Sequence, residues 1–152
     1  MASNVKIMFD DIYTKLNKID TAIGEFLVIQ MKKHIDKSEF NGIPYEKLKF
    51  RDGTPLLNTG SLRDNIRYEL LGNHNIRIID DVEYSSFQQD GFTQIITDKQ
   101  RSFFWSKYYS TKDVRWKYLA CATTFTVPSR KFIGDEEGLS KKIDTMIENI
   151  MR

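Results

Sequence analysis

The sequence predicts an α+β fold, an antiparallel β-sheet packed by a long N-terminal helix and a C-terminal helix. Three observations lead there. Ile12, Leu16, Ile19, Ile23, Phe26 (with Leu27) and Gln30 recur at steps of four and three, the period of one helical face. Between Ile66 and Val127 several short runs rich in β-branched and aromatic residues are separated by turn residues. From Gly138 onward, Leu139, Ile143, Met146 (with Ile147) and Ile150 form a second helical stripe.

The chain has 152 residues, 40% hydrophobic and 29% charged, with a formal net charge of +2. That length suits one domain with one core, 1–152, and no internal repeat or linker divides it. No apolar run approaches the ~18–20 residues of a membrane span, so no membrane contact is expected. The N-terminal MASNVKIMFDDIY lacks the apolar core and cleavage site of a signal peptide. The single cysteine, Cys121, has no internal disulfide partner, which favours synthesis in a reducing cytoplasm.

The first helix is expected from about Asp10 to Lys37, with Asp10 and Asp11 at the positive end of its dipole. Gly24 lies within it at a cost of ~1 kcal/mol against alanine, which suits a close packing contact there. Phe26, Leu27, Val28 and Ile29 widen the apolar stripe, so this helix either covers the sheet or lines an oligomer interface. Residues 38–55 read as a connection with turns at Asn41-Gly42 and Asp52-Gly53; Phe50 and Arg51 stand out only faintly. Ser61 is the expected N-cap of a short turn through Leu62, Asp64 and Asn65. Ile66 to Leu70 and Ile76 to Ile79 read as a hairpin around Gly72–Asn75, ended by Asp80 and Asp81. Tyr84, Phe87 and Gln88 suggest a short helix stopping at Gly91. Further strands are expected at Gln94–Thr97 and Ala120–Val127, joined to the hairpin in one sheet. Asp98 is the expected cap of a helix running to about Tyr109, broken by Ser110-Thr111-Lys112-Asp113.

The stretch Thr123–Gly134, TTFTVPSRKFIG, is the most directive part of the chain. It begins as a strand. Pro128 ends the ladder and holds Val127 extended. Arg130 leaves the corner, and the hydrophobic pair Phe132 and Ile133 anchors the chain beyond it.

Composition shifts between Thr97 and Ala120. Seven of the chain's 19 aromatic residues fall in this segment: Phe103, Phe104, Trp105, Tyr108, Tyr109, Trp116 and Tyr118. So do Lys99, Arg101, Lys107, Lys112, Arg115 and Lys117 against Asp98 and Asp113, a net +4 that leaves −2 for the remaining chain. Such a segment can stack on bases and neutralise phosphates, or it can pack on protein. The same types are enriched where interfaces concentrate their energy. Phe104, Trp105, Lys107, Tyr108, Tyr109, Arg115, Trp116 and Lys117 are the candidate interface residues.

No catalytic constellation is legible. His34 and His74 have no companion at ligand spacing, and one cysteine cannot build a zinc site. Asp80, Asp81 and Glu83 form an acidic turn of a kind that is normally just solvated. There is no glycine-rich phosphate loop, and Ser61 and Ser129 have no base nearby in sequence. The expectation is no catalytic residue, no metal and no cofactor.

Three segments carry a resemblance. Leu56-Leu57-Asn58-Thr59-Gly60-Ser61-Leu62, with Thr59, Gly60 and Leu62 as landmarks, resembles the L-x-x-T-G-x-L element of the bacteriophage virion-morphogenesis, or tail-completion, family. Tyr84-Ser85-Ser86-Phe87-Gln88-Gln89-Asp90-Gly91 is similar to its Y-A-x-x-H-Q-x-G element, with Tyr84, Gln88 and Gly91 retained and Phe87 where histidine is common. Val127 to Gly134 is similar to its I-P-A-R-P-F-L-G signature through Pro128, Arg130, Phe132 and Gly134. The resemblance spans roughly Phe50 to the C-terminus, and 97–120 is like an insertion found in a subset of members. It implies a non-enzymatic virion protein of a tailed phage or prophage, made in the host cytoplasm and located in the tail or neck. Such proteins complete the head-proximal end of the tail or join it to the neck. The implied partners are further copies in a ring, with six the expected number, neighbouring neck, connector and tail-tube proteins, and genome DNA passing non-specifically through the ring. Arg130 is then a structural or interface arginine suited to two-pronged pairing with a carboxylate. The alternative from the residues alone is a cytoplasmic nucleic-acid-binding module using 97–120.

Overall fold

The computed structural model describes residues 2–49 and 52–152, with side chains from Asp10 onward. Phe50 and Arg51, where the resemblance begins, lie outside the described residues. Twelve elements run in order among them. They are α1 (Ala2–Lys37), β1 (Glu39–Phe40), β2 (Ile43–Pro44), α2 (Ser61–Asp64), β3 (Arg67–Leu70) and β4 (Ile76–Ile79). Then come α3 (Ser85–Asp90), β5 (Phe92–Ile95), α4 (Asp98–Thr111), α5 (Val114–Cys121), β6 (Thr124–Val127) and α6 (Leu139–Met151). The class is α+β, as the periodicities predict.

α1 has 36 residues, about 54 Å at the usual helical rise. It begins eight residues before the expected Asp10, so Asp10 and Asp11 are in its interior and the first turn carries no acid. Nothing from Ser3 to Met8 breaks a helix, and Val5 and Met8 extend the apolar period back from Ile12. The stripe is buried unevenly. Ile19, Met31 and Ile35 are buried and Phe26 is half-buried, while Ile12 and Tyr13 are exposed. The hairpin formed by β3 and β4 packs against α1, and α6 lies beside it. Asp20 of α1 meets His74 at the hairpin tip, with Oδ2 2.9 Å from Nδ1. Gly24 is where Tyr68 of β3 crosses the helix: a Cβ on Gly24 would sit 2.4 Å from the Tyr68 ring. The close approach expected at this glycine is present.

The strands form three separate two-stranded antiparallel ladders, where one sheet was expected. β1 and β2 pair around Asn41-Gly42, both with positive φ, in a stretch read from sequence as irregular. β3 and β4 pair from Arg67↔Ile79 to Leu70↔Ile76, the predicted hairpin. β5 and β6 pair from Phe92↔Val127 to Ile95↔Thr124. Alternation shows which segments are extended; it does not say which strand edges meet.

Helix boundaries differ from expectation as well. Gly60, in the left-handed region at φ 85°, caps α2, and Ser61 is its first residue. Thr97, not Asp98, caps α4: Thr97 Oγ1 accepts from the Gln100 N–H, while Gln100 Oε1 accepts from the Thr97 N–H. This is a capping box, legible as Thr-x-x-Gln. The fifth strand starts at Phe92, two residues before the expected Gln94, and the last strand is only Thr124–Val127. Residues 114–121 form a helix of their own, so Ala120 and Cys121, expected at the start of the last strand, are helical. Asp113 caps this helix by accepting from the Arg115 N–H at 2.9 Å.

The core joins Met31 and Ile35 of α1, Leu56, Leu62 of α2, Ile66 and Phe132. Val28, Tyr45, Leu57, Ile78, Val82 and Ile133 pack around it. Asp80 holds the turn after β4 by accepting from the Val82 N–H at 2.9 Å. Burial raises the Asp80 carboxyl above its ordinary value, against the opposing Val82 hydrogen bond.

These contacts lead to two expectations. Gly24→Ala should lower the melting temperature, although alanine is the better helix former by ~1 kcal/mol, because the methyl meets the Tyr68 ring. In a Tyr68→Ala background the same change should raise it; thermal melts of the four proteins check the sign reversal. Asp80 binds its proton more tightly in the folded chain than in the unfolded one, so its contribution is most favourable at acid pH and is lost as pH rises through the raised pKa. Asp80→Asn should therefore stabilise the protein at pH 7, and that advantage should vanish in melts run below the ordinary carboxylate range.

Candidate functional site

The three segments that carry the resemblance meet at one junction. After β6, residues 128–134 leave the ladder and enter the core without regular structure. A buried irregular backbone must find partners for its polar groups, since each one left unpaired costs about 1–3 kcal/mol. Here side chains and α3 supply them. The Arg130 N–H donates to the Gln88 carbonyl at 2.8 Å. The Phe132 and Ile133 N–H groups both donate to Gln89 Oε1, at 3.0 and 3.2 Å. Gln89 Nε2 donates to the Ile133 carbonyl. The Tyr45 hydroxyl donates to the Lys131 carbonyl, and His34 Nδ1 donates to the Phe132 carbonyl at 3.0 Å. Phe132, fully buried, is held at its own main chain from α1 and from α3, and the Lys131 carbonyl before it is held from the segment after β2.

Each singled-out motif residue has a place around this junction. Gly91 has φ 71°, and a Cβ there would stand 2.5 Å from the Ser129 nitrogen and 2.7 Å from the Val127 carbonyl oxygen. Only glycine lets α3 end against the corner. Gly134 lies against Phe40, whose ring would be 3.2 Å from an added Cβ. Thr59 Oγ1 pairs with Ser61 Oγ at 2.8 Å ahead of the Gly60 cap, and Leu62 beyond it is buried. Thr59, Leu62, Tyr84, Gln88, Pro128 and Arg130 all line one pocket of about 630 Å³. Trp116 reaches the same pocket from α5.

Arg130 is buried at 5% exposure, and its Nη2 donates to the Glu46 carbonyl at 3.3 Å. The arginine that leaves the corner thus turns inward onto its own chain. Burial pushes the nearby Tyr45 hydroxyl well above the ordinary tyrosine range, and the Arg130 charge partly opposes this.

Sequence reasoning missed Gln89, Tyr45 and His34. It singled out Gln88, whose carbonyl and pocket-facing position matter, but its neighbour's amide makes the clamp. Two adjacent glutamines in a six-residue helix carry no signal that separates their roles. His34 also lies 3.6 Å from Glu136 Oε2 and stacks edgewise on Phe40, ring centres 4.8 Å apart. Among the described residues no three His, Cys, Asp or Glu side chains stand close enough to hold a metal. Nor is any described helix long and apolar enough to cross a membrane.

The segment 97–120 forms a helical arm. α4 and α5 pack on each other and only marginally on any other element. Lys112, with φ 59°, closes α4, and the chain turns at once into α5. The arm leaves and re-enters between the last rungs of the β5–β6 ladder, where the Ile96 N–H donates to the Thr123 carbonyl at 3.0 Å. Its rings build a small core of their own. Phe104 stacks on Trp116 with centres 6.1 Å apart, and Trp105 stacks on Tyr109 at 5.9 Å. Of the candidate interface residues, Phe104, Trp105, Tyr108 and Trp116 are half-buried here, whereas Lys107, Tyr109 and Lys117 are exposed. Tyr118, 72% exposed, and Phe103 add to the bare surface. Lys107, Lys112 and Lys117 lie over the rings of Phe103, Tyr109 and Tyr108 respectively. Arg115 pairs with Asp113 at 2.7 Å and with Asp52 of the body at 3.0 Å. Its hydrogen bond holds the Asp113 carboxyl below the ordinary range.

Comparison of the chain with models of known protein families, with curated proteins and with solved structures finds no match.

The clamp makes a sharp prediction. Gln89→Leu removes the acceptor shared by the Phe132 and Ile133 N–H groups and should cost about 2–4 kcal/mol. Gln88→Ala, which keeps the carbonyl that Arg130 uses, should cost less than about 1 kcal/mol. Urea unfolding of both variants measures the difference; equal losses would show that Gln89 is not the clamp.

Proposed function

We propose that this chain is a structural virion protein of a tailed phage or prophage. It completes the head-proximal end of the tail or joins tail to neck, and it works as a ring of identical copies. The observation that carries this reading is the junction. Three segments far apart in sequence resemble one family in the right order, and all three converge on Phe132 and on one pocket. Chance similarity in three short motifs gives no reason for them to hold each other in place. The arm adds support of a different kind. A paired-helix projection with exposed rings and a net +4 has surface beyond what its own domain covers.

Nucleic-acid binding by the arm fits less well. Base stacking needs ring faces open to the bases. Phe103, Tyr108 and Tyr109 already carry lysine ammonium groups over their faces, and Phe104 and Trp116 cover each other. Contact with DNA in this reading is charge on phosphate, not recognition of bases.

Removing the reading frame from the phage or prophage that encodes it is the direct test. The expected result is complete heads and tails that stay unjoined, with joining restored by the protein supplied in trans. Labelled protein should sit at the head-proximal end of the tail. Normal infective particles without the protein would overturn the proposal. So would a salt-sensitive gel shift of DNA or RNA at nanomolar protein, which is the result expected of a nucleic-acid-binding module.

A further inference from the structure

We propose that the pocket beside β6 binds an extended segment of another protein, one that alternates apolar and acidic side chains, by adding it to the β5–β6 ladder as a third strand. The inference goes beyond the virion reading and does not depend on it.

The β5–β6 ladder has two strands. Two-stranded ladders are marginal by themselves, and each outer edge presents a row of main-chain donors and acceptors. The bond from the Ile96 N–H to the Thr123 carbonyl fixes which groups those are on β6. Opposed residues in an antiparallel ladder alternate between bonded and non-bonded pairs. Ile96 and Thr123 are a bonded pair, so Gln94 with Phe125 and Phe92 with Val127 are bonded too. Thr124 and Thr126 therefore turn their N–H and carbonyl groups away from β5. Among the described residues no main-chain group pairs with them on that side.

The pocket of about 630 Å³ runs along this edge. Four consecutive residues, Phe125 to Pro128, line it. Neighbouring side chains of a strand point to opposite faces, so a cavity that touches them all follows the edge of the strand and not one face. Leu56, Leu62, Tyr84 and Trp116 give it apolar walls. Among the described residues its charged lining is Lys47, Lys49 and Arg130 against Glu46, three cations against one anion and so a net +2. Glu46 already pairs with Lys49 at 3.8 Å, and the balance of the site stays positive.

The three features choose one occupant together. A strand edge selects an extended main chain, apolar walls select side chains such as leucine, and a cationic lining selects carboxylates.

The test titrates the full chain, in a Trp105→Phe background that leaves Trp116 as its one indole, with a capped octapeptide alternating leucine and glutamate. Trp116 emission should shift to the blue, and calorimetry should give a Kd on the order of 100 µM. The leucine–lysine octapeptide should bind about tenfold more weakly, and Lys47→Glu should close that gap. Lys47 is exposed, and thermal melts check that the variant is folded. N-methylation of the leucines in one peptide, and of the glutamates in another, removes the donors of one peptide edge at a time. One of the two should bind about tenfold more weakly. Failure of the acidic peptide to bind at millimolar concentration, or equal binding of the acidic and basic peptides, would overturn the proposal. Undiminished binding of both methylated peptides would rule out strand addition. A Trp116 shift produced equally well by sodium octanoate would show a site for small amphiphiles instead. Self-association that Lys47→Glu abolishes would show that a second copy, not another protein, is the occupant.

Discussion

Phe132 can occupy the core only if the chain that carries it has its backbone polar groups paired. Residues 128–134 make neither strand nor helix, and they seat Arg130 and Phe132 in the core while Ser129 and Lys131 stay exposed. Where the backbone is buried with Phe132, each unpaired N–H or carbonyl would cost about 1–3 kcal/mol. The solution is a set of side chains that act as a substitute strand. Gln89 presents one carbonyl and one amide group, the same pairing a neighbouring peptide would give. Tyr45 and His34 complete it from other elements. The rest of the architecture depends on this seating, since α1, the segment after β2 and α3 must all be in position for it to exist.

α1 is the spine to which the other parts are registered. Its C-terminal half supplies Met31 and Ile35 to the core and His34 to the junction. Its middle accepts the β3–β4 hairpin through the gap at Gly24 and the Asp20–His74 contact. The glycine weakens the helix locally, but it lets an aromatic ring lie on the helix backbone. Packing area gained by a close aromatic contact exceeds a propensity difference of ~1 kcal/mol.

The arm is built on different terms from the body. Its rings pack on one another, its tip is a left-handed Lys112, and its roots are two strands already paired. An insertion of this form perturbs the host little, because closing a loop between adjacent strand ends costs little entropy. It also leaves ring surface that one domain does not cover. Body and arm therefore divide the work. The body holds the motif junction rigidly, and the arm carries the exposed aromatic and basic surface outward.

Local physics determined much of this protein from its sequence. The period of α1 and α6, the turn at Gly72–Asn75, the stop at Gly91, the break at Lys112-Asp113 (two residues later than expected) and the end of β6 at Pro128 each depend on residues close together in the chain. So does the class of the fold. Features that depend on distant residues were decided only in three dimensions. Alternation cannot say which edges pair, so three ladders stand where one sheet was expected. Helix caps compete among neighbouring polar residues, and Thr97 won over Asp98 because Gln100 could return the bond. The candidate site shows the same division. The motif residues were visible as a pattern, and their glycines and proline had local reasons. Gln89, Tyr45 and His34 were not visible, because a side chain that satisfies a backbone 44, 86 or 98 residues away has no local signature. Only the folded chain brings the unpaired carbonyl and its donor to the same place.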